Sequence, residues 1–168
     1  MQHHVIYIMG VSGSGKTTIG KLLAAKTGFP FYDADNFHTK ENIAKMNASV
    51  PLTDADRSPW LKNIHQFVLE QTANNPIILV CSALKQSYRN EISRSIETYC
   101  TWFFLQGDYD TIFARLKERT DHYMPSTLLQ SQFETLEVPA NAVVFDIKLS
   151  PEMIVSQMVT TINKQILQ

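Results

Sequence analysis

The chain has little cysteine. Its 168 residues hold two, Cys81 and Cys100, and neither lies in a C-x-x-C pair or a His/Cys cluster. Zinc chemistry is therefore not suggested, and both read as small buried residues in a reduced compartment. A charge excess is also lacking. Fifteen Lys and Arg against sixteen Asp and Glu leave a net charge of −1, so composition gives no electrostatic case for nucleic acid as a partner. No apolar run reaches transmembrane length, and the N-terminus lacks a basic region followed by a long apolar stretch, so the expectation is a cytoplasmic protein with no membrane role. Internal repeats and low-complexity segments are absent. His3 and His4 alone do not make a metal site. What remains is ordinary globular composition, 44% hydrophobic and 18% charged, in a length that suits one domain with a real core.

The most informative stretch is V-I-Y-I-M-G-V-S-G-S-G-K-T-T, residues 5–18. An apolar run leads directly into Gly10, Val11, Ser12, Gly13, Ser14, Gly15, Lys16 and Thr17, the pattern G-x-x-x-x-G-K-[ST] of a phosphate-binding loop. Glycines let the backbone curl so that successive N–H groups point inward. The helix that follows adds the positive end of its dipole. The motif assigns Lys16 to the β- and γ-phosphates, Thr17 to Mg²⁺, and the whole run through Thr18 to nucleotide binding. A guanine-reading N-K-x-D segment is missing, which argues against a GTPase switch.

Five strand-like segments, 5–9, 29–32, 77–81, 101–105 and 142–147, alternate with helical patterns at 17–27, 39–47, 58–72, 86–98, 109–119, 125–136 and 151–167. This alternation predicts an α/β fold with a parallel sheet covered by helices. Ligands are then expected at the carboxyl ends of the strands. Segment 33–75 is too helical for a linker and reads as a substrate-binding lobe inserted in a single domain.

Asp33 and Asp35 follow the second strand. Strand alternation puts both on one side, where one carboxylate can hold a water on Mg²⁺ and the other can accept a proton from an attacking hydroxyl. The plainer reading, two residues capping the next helix, stands beside it. Thr53 or Asp54 equally suits a helix start. His38, Lys40, Lys45 and Arg57 are polar handles in the lobe. Lys40 reads as a solvated residue, while Arg57 offers a bidentate fork for a carboxylate. Ser82 ends the third strand. Lys85 and Arg89, one helical turn apart, share a face and either hold an anionic substrate or pair with surface acids such as Glu91. No Asp ends this strand, where many phosphate-loop enzymes carry a second metal-binding aspartate, which raises the burden on Asp33. Arg115 and Arg119 lead into D-H-Y-M-P, and the region 119–136 suits a lid closing arginines over phosphates. An ordinary helix end is the alternative. Trp60 and Trp102 read as core aromatics.

Several blocks resemble the gluconate kinases: H-T-K-E-N-I-A-K-M and P-L-T-D-A-D-R-S-P-W-L between residues 33 and 61, C-S-A-L-K-Q-S-Y-R at 81–89, F-F-L-Q-G at 103–107, and H-Y-M-P-S-T-L-L-Q-S-Q-F-E-T-L-E-V-P at 122–139. The resemblance covers nearly the whole chain. It implies a phosphate-loop kinase fold with a five-stranded parallel sheet in the order 2-3-1-4-5, helices on both faces and a lid. It also implies ATP- and Mg²⁺-dependent phosphorylation of D-gluconate to 6-phosphogluconate. Dimers are common in the family, so a homodimer is an expectation. The related shikimate kinase pattern F-x-D-x-D matches Phe31 to Asp35, which implies that Asp33 supports the metal through water and that Asp35 is catalytic at the substrate hydroxyl. Lys16 of the loop motif and Arg119 of the expected lid complete the expected catalytic set, with Arg115 on the nucleotide. His38, Arg57, Ser82, Lys85, Arg89 and His122 join Asp35 around the substrate. Three positions depart from the family. Ala34 stands where Gly is usual, Thr39 where Pro is usual, and Ser49 where Gly is common. Ser49 matters most, because a Gly there permits a positive φ that Ser tolerates poorly.

Overall fold

The computed structural model describes residues 3–118 and 126–165. Five strands, β1 (Val5–Met9), β2 (Phe31–Asp33), β3 (Ile77–Val80), β4 (Cys100–Gln106) and β5 (Val143–Asp146), form one sheet in the order β2-β3-β1-β4-β5. Every pairing is parallel. Strand β1 occupies the centre because its five residues are all apolar and all buried. Alternation sorts them by face. Ile6 and Ile8 join Ile78, Val80, Phe103 and Leu105 under one set of helices, while Val5, Tyr7 and Met9 join Ile77, Leu79 and Phe104 under the other.

On the first face lie α1 (Lys16–Thr27), α5 (Tyr109–Lys117), α6 (Ser126–Thr135) and α7 (Pro151–Gln165), contributing Leu23, Ile112, Leu129 and Met158 among others. The second face carries α3 (Asp54–Gln71) and α4 (Gln86–Ser93), which bury Trp60, Ile64, Val68, Tyr88 and Ile92. A short helix α2 (Lys40–Asn47) precedes α3. No helix among the described residues is long and apolar enough to cross a membrane.

Element ends depart from the sequence expectation for identifiable reasons. Strand β2 starts later, because Gly28 ends α1 in the left-handed region (φ 76) and sheet pairing begins only where the Pro30 carbonyl accepts from Ile78 N. Helix α3 starts at Asp54 rather than 58, fixed by a capping box. The Thr53 hydroxyl accepts from Asp56 N, and the Asp56 carboxylate accepts from Thr53 N. Helix α4 stops at Ser93 rather than continuing to 98, because Arg94 leaves the helical backbone (φ −50, ψ 131) and Ser95 takes φ 67.

Candidate active site

The chain turns as β1 ends. Gly10 sits at φ 150, and a Cβ there would meet Ser14 Oγ at 2.8 Å and Leu105 O at 2.9 Å, so only glycine fits between the loop and β4. Gly15 caps α1 in the left-handed region and has no side chain to offer its first turn, which contains no acidic residue. Those N–H groups and the helix dipole are thereby presented to an anion. Lys16 curls back, donating from Nζ to Gly10 O and Val11 O at 3.0 Å each. Ser14 is buried, and its Oγ has no hydrogen-bond partner among the described residues.

Asp33 joins two elements. Its Oδ1 accepts from Asp35 N at 3.0 Å, capping a 3₁₀ turn over Ala34–Phe37, and its Oδ2 accepts from the Thr17 hydroxyl at 3.4 Å. The two aspartates therefore meet through a cap and not through strand alternation, since β2 ends at Asp33. The Asp35 side chain is 77% accessible, open to a cleft yet walled by protein. Loss of surrounding water raises its pKa, the Asp33 carboxylate raises it further, and Lys16 opposes both.

Beside Asp35 the His38 ring stacks on Trp60 at 4.4 Å and 9°. Trp60 is buried and donates from Nε1 to Ala34 O at 2.7 Å. It is a core residue that also floors the site. Burial, then the nearby Arg57 charge, push the His38 pKa down to about 4, with Asp33 pulling the other way. Arg57 donates to Leu52 O and to the Tyr88 hydroxyl, and its guanidinium lies 5.5 Å from the Tyr88 ring centre. Between α2 and α3 the chain makes a Schellman turn. Ser49 N donates to Met46 O and Val50 N to Lys45 O. Ser49 takes φ 58 to do so, the conformation that its replacement of a glycine made the point of interest. Thr39, another departure in this lobe, caps α2 through Asn42 N.

These elements enclose one cleft of about 650 Å³. Ser12, Gly13, Gly15, Lys16, Thr17 and Thr18 line it together with Asp33, Asp35, His38, Arg57 and Ser82. Gly10, Val11 and Ser14 lie behind the lining. Lys85 and Arg89 are engaged elsewhere. The Lys85 ammonium meets both Asp54 carboxylate oxygens at 2.8 Å, and Asp54 also accepts from the Tyr88 hydroxyl. Arg89 is 3% exposed and donates to the carbonyls of Ala83, Leu84 and Glu137 and to Gln86 Oε1. Sharing a helical face did not decide whether that face met solvent or interior. Arg115 points to the end of β5, donating to Ile147 O at 2.6 Å. Arg119 and His122, with residues 119–125 of the expected lid, lie outside the described residues, and the remainder of that region forms α6.

Helix α6 supplies a contact that sequence reading missed. Gln132 Oε1 accepts from Ser12 N at 2.7 Å, and its Nε2 donates to Ser12 Oγ at 3.1 Å. The two residues are 120 positions apart, and no local signal links them.

A shikimate kinase family profile matches residues 12–163. The thermosensitive gluconokinase of Escherichia coli is 45% identical over 133 residues, covering 79% of this chain and 71% of that protein. A gluconokinase of Arabidopsis thaliana is 40% identical over 167 residues, covering 90% and 88%. In structure, a gluconokinase from Sinorhizobium meliloti superposes with a TM-score of 0.86 at 40% identity, covering 97% of this chain and 93% of that one. An APS kinase from Mycobacterium tuberculosis, at 14% identity and a TM-score of 0.71, shares the fold.

Proposed function

The chain belongs to the gluconokinase group of the shikimate kinase family, and from that premise we propose that it transfers the γ-phosphoryl group of ATP to D-gluconate, giving 6-phospho-D-gluconate. The observation that carries this reading is the shared cleft of about 650 Å³, lined by both the phosphate loop and an accessible carboxylate, Asp35.

The loop suits a nucleotide triphosphate. Gly10 leaves no room for a Cβ, Gly15 leaves the first turn of α1 uncapped by any side chain, and the buried Ser14 Oγ has no partner among the described residues. Lys16 turns from the Gly10 and Val11 carbonyls to phosphate oxygens, neutralising charge that grows during transfer. Magnesium, when bound, adds charge neutralisation at the phosphates. For it the chain offers the Thr17 hydroxyl directly and the Asp33 carboxylate through water. No group of three or more His, Cys, Asp or Glu able to hold a metal occurs among the described residues, which suits a cation that keeps several waters and phosphate oxygens.

On the acceptor side, within segment 33–75, Asp35 takes the proton of the attacking hydroxyl. Its raised pKa makes it a better proton acceptor than an ordinary carboxylate. Arg57, beside the cleft, matches the carboxylate end of a sugar acid. Lys85, neutralised by Asp54, and Arg89, buried on carbonyls, have structural partners in this reading.

A coupled ADP-release assay against gluconate, glucose, shikimate and a nucleoside monophosphate tests the substrate. Gluconate is expected to give the highest kcat/KM. Glucose lacks the carboxylate and leaves Arg57 without its partner, so it should be poor. Equal turnover of shikimate or a nucleoside monophosphate would overturn the substrate while leaving a kinase.

A further inference from the structure

Asn42 is an asparagine buried in the first turn of α2, 2% exposed. Its Nδ2 donates to Asp56 O at 2.9 Å and lies 3.4 Å from His38 Nδ1. We propose that Asn42 is a positioning residue that fixes His38 as the tautomer with hydrogen on Nε2, so that His38 offers a donor beside Asp35. The function of that donor rests on the kinase reading; the tautomer itself does not.

The orientation of the amide is set by chemistry. Asp56 O can only accept, so the amide must present nitrogen to it; a flipped amide would set two acceptor oxygens together. One N–H is used there, and the other faces His38 Nδ1. A ring nitrogen that faces an N–H must carry its lone pair there, which leaves the hydrogen on Nε2. The ring is held flat by the Trp60 stack. A half-turn would keep the stack but would bring a ring C–H against Asn42 Nδ2. The groups facing His38 are Arg57 from α3, Asp35 from the 3₁₀ turn and Asp33 from the end of β2. Burial and Arg57 keep the ring neutral near pH 7, so it carries a single hydrogen.

His38 Nε2 lies 3.8 Å from Asp35 Oδ1. That is too long for a direct hydrogen bond, but one oxygen in the cleft can reach both at hydrogen-bond distance. Such an oxygen accepts from Nε2–H and donates to the Asp35 carboxylate. A hydroxyl does both, whereas a carboxylate oxygen would meet Asp35 with no hydrogen to give. The pair therefore selects the alcohol end of a sugar acid and turns the carboxylate end away.

Long-range ¹H–¹⁵N NMR of the full chain at pH 7 reads the tautomer directly, with the His38 signals among five histidines assigned by loss in His38→Gln. The expected spectrum has a pyrrole-type Nε2 and a pyridine-type Nδ1. Asn42→Asp supplies an acceptor in place of a donor and should move the hydrogen to Nδ1, lowering kcat/KM for gluconate by roughly tenfold to a hundredfold while leaving ATP affinity within twofold. Asn42→Ala, which needs no buried charge, should give averaged shifts for the two nitrogens. A wild-type spectrum with hydrogen on Nδ1 or on both nitrogens overturns the proposal, and so does an Asn42→Asp or Asn42→Ala protein with the wild-type pattern. An Asn42→Asp protein with a moved hydrogen and wild-type kcat/KM overturns the selecting role. Failure of the wild type to phosphorylate gluconate would instead remove gluconate as the substrate, and the spectrum would still decide the tautomer.

Discussion

Gln132 holds Ser12 at two points, taking its backbone N–H at 2.7 Å and giving a hydrogen to its hydroxyl at 3.1 Å. A side chain of α6 thus fixes the geometry of the phosphate loop. Gln132→Ala removes hydrogen bonds worth about 1 kcal/mol each, so ATP affinity should fall roughly tenfold with the gluconate KM little changed. Gln132→Glu loses the donor and adds a negative charge beside the phosphates, and should be worse. Titration with a fluorescent ATP analogue checks both. Wild-type affinity in Gln132→Ala would show that the contact does not shape the loop.

Ser49 occupies the left-handed position of a Schellman turn at φ 58. Left-handed backbone costs a residue with a Cβ about 1–2 kcal/mol, partly offset by the greater unfolded-state freedom of glycine. Ser49→Gly should raise stability by about 0.5–1 kcal/mol, seen as a higher urea midpoint at constant m. A lower midpoint would mean that the Ser49 side chain holds more than the backbone loses.

Buried Arg89 clamps the end of β3 to residue 137 through the carbonyls of Ala83 and Glu137. Its alanine variant leaves the buried Ala83 carbonyl without this partner, at about 1–3 kcal/mol, and also removes the Glu137 contact. Arg89→Ala should lower Tm by several degrees and leave the gluconate KM of the folded enzyme within twofold. An unchanged Tm with a large rise in KM would place Arg89 on the substrate instead.

His38 has a folded pKa of about 4 against 6.5 for the free side chain. The unfolded chain then binds a proton at higher pH than the folded one. The stabilising difference is complete above pH 6.5 and is lost as the pH falls from 6.5 toward 4. His38→Gln removes this contribution, so its Tm should decline less than wild type across that window in a thermal-shift series. Parallel declines would contradict the neutral, buried ring.

The sequence made β1, its loop and α1 plain, because the phosphate motif prescribes both spacing and context. The parallel sheet followed from alternating patterns, whereas its strand order came only through resemblance to a family. Ser49 was readable as a strained position because one residue type differed where φ matters. Gln132, Asn42 and the inward turn of Arg89 were not readable. Each depends on which carbonyl or amide another segment brings to 2.7–3.0 Å, and neither periodicity nor local spacing carries that information. The meeting of Asp33 and Asp35 was anticipated for an incomplete reason, since a cap brings them together where strand alternation had been expected.

Phosphoryl transfer from ATP to the terminal hydroxyl of gluconate, with Asp35 as proton acceptor, is open to direct observation. The most direct measurement is ³¹P and ¹³C NMR of a reaction of the full chain with ATP, Mg²⁺ and ¹³C-labelled D-gluconate, run beside Asp35→Asn. The wild type should yield ADP and one new phosphate ester coupled to C6, while Asp35→Asn should bind ATP normally and lose kcat by roughly 10²- to 10⁴-fold. ADP and inorganic phosphate without a gluconate ester, or full turnover by Asp35→Asn, would contradict the account.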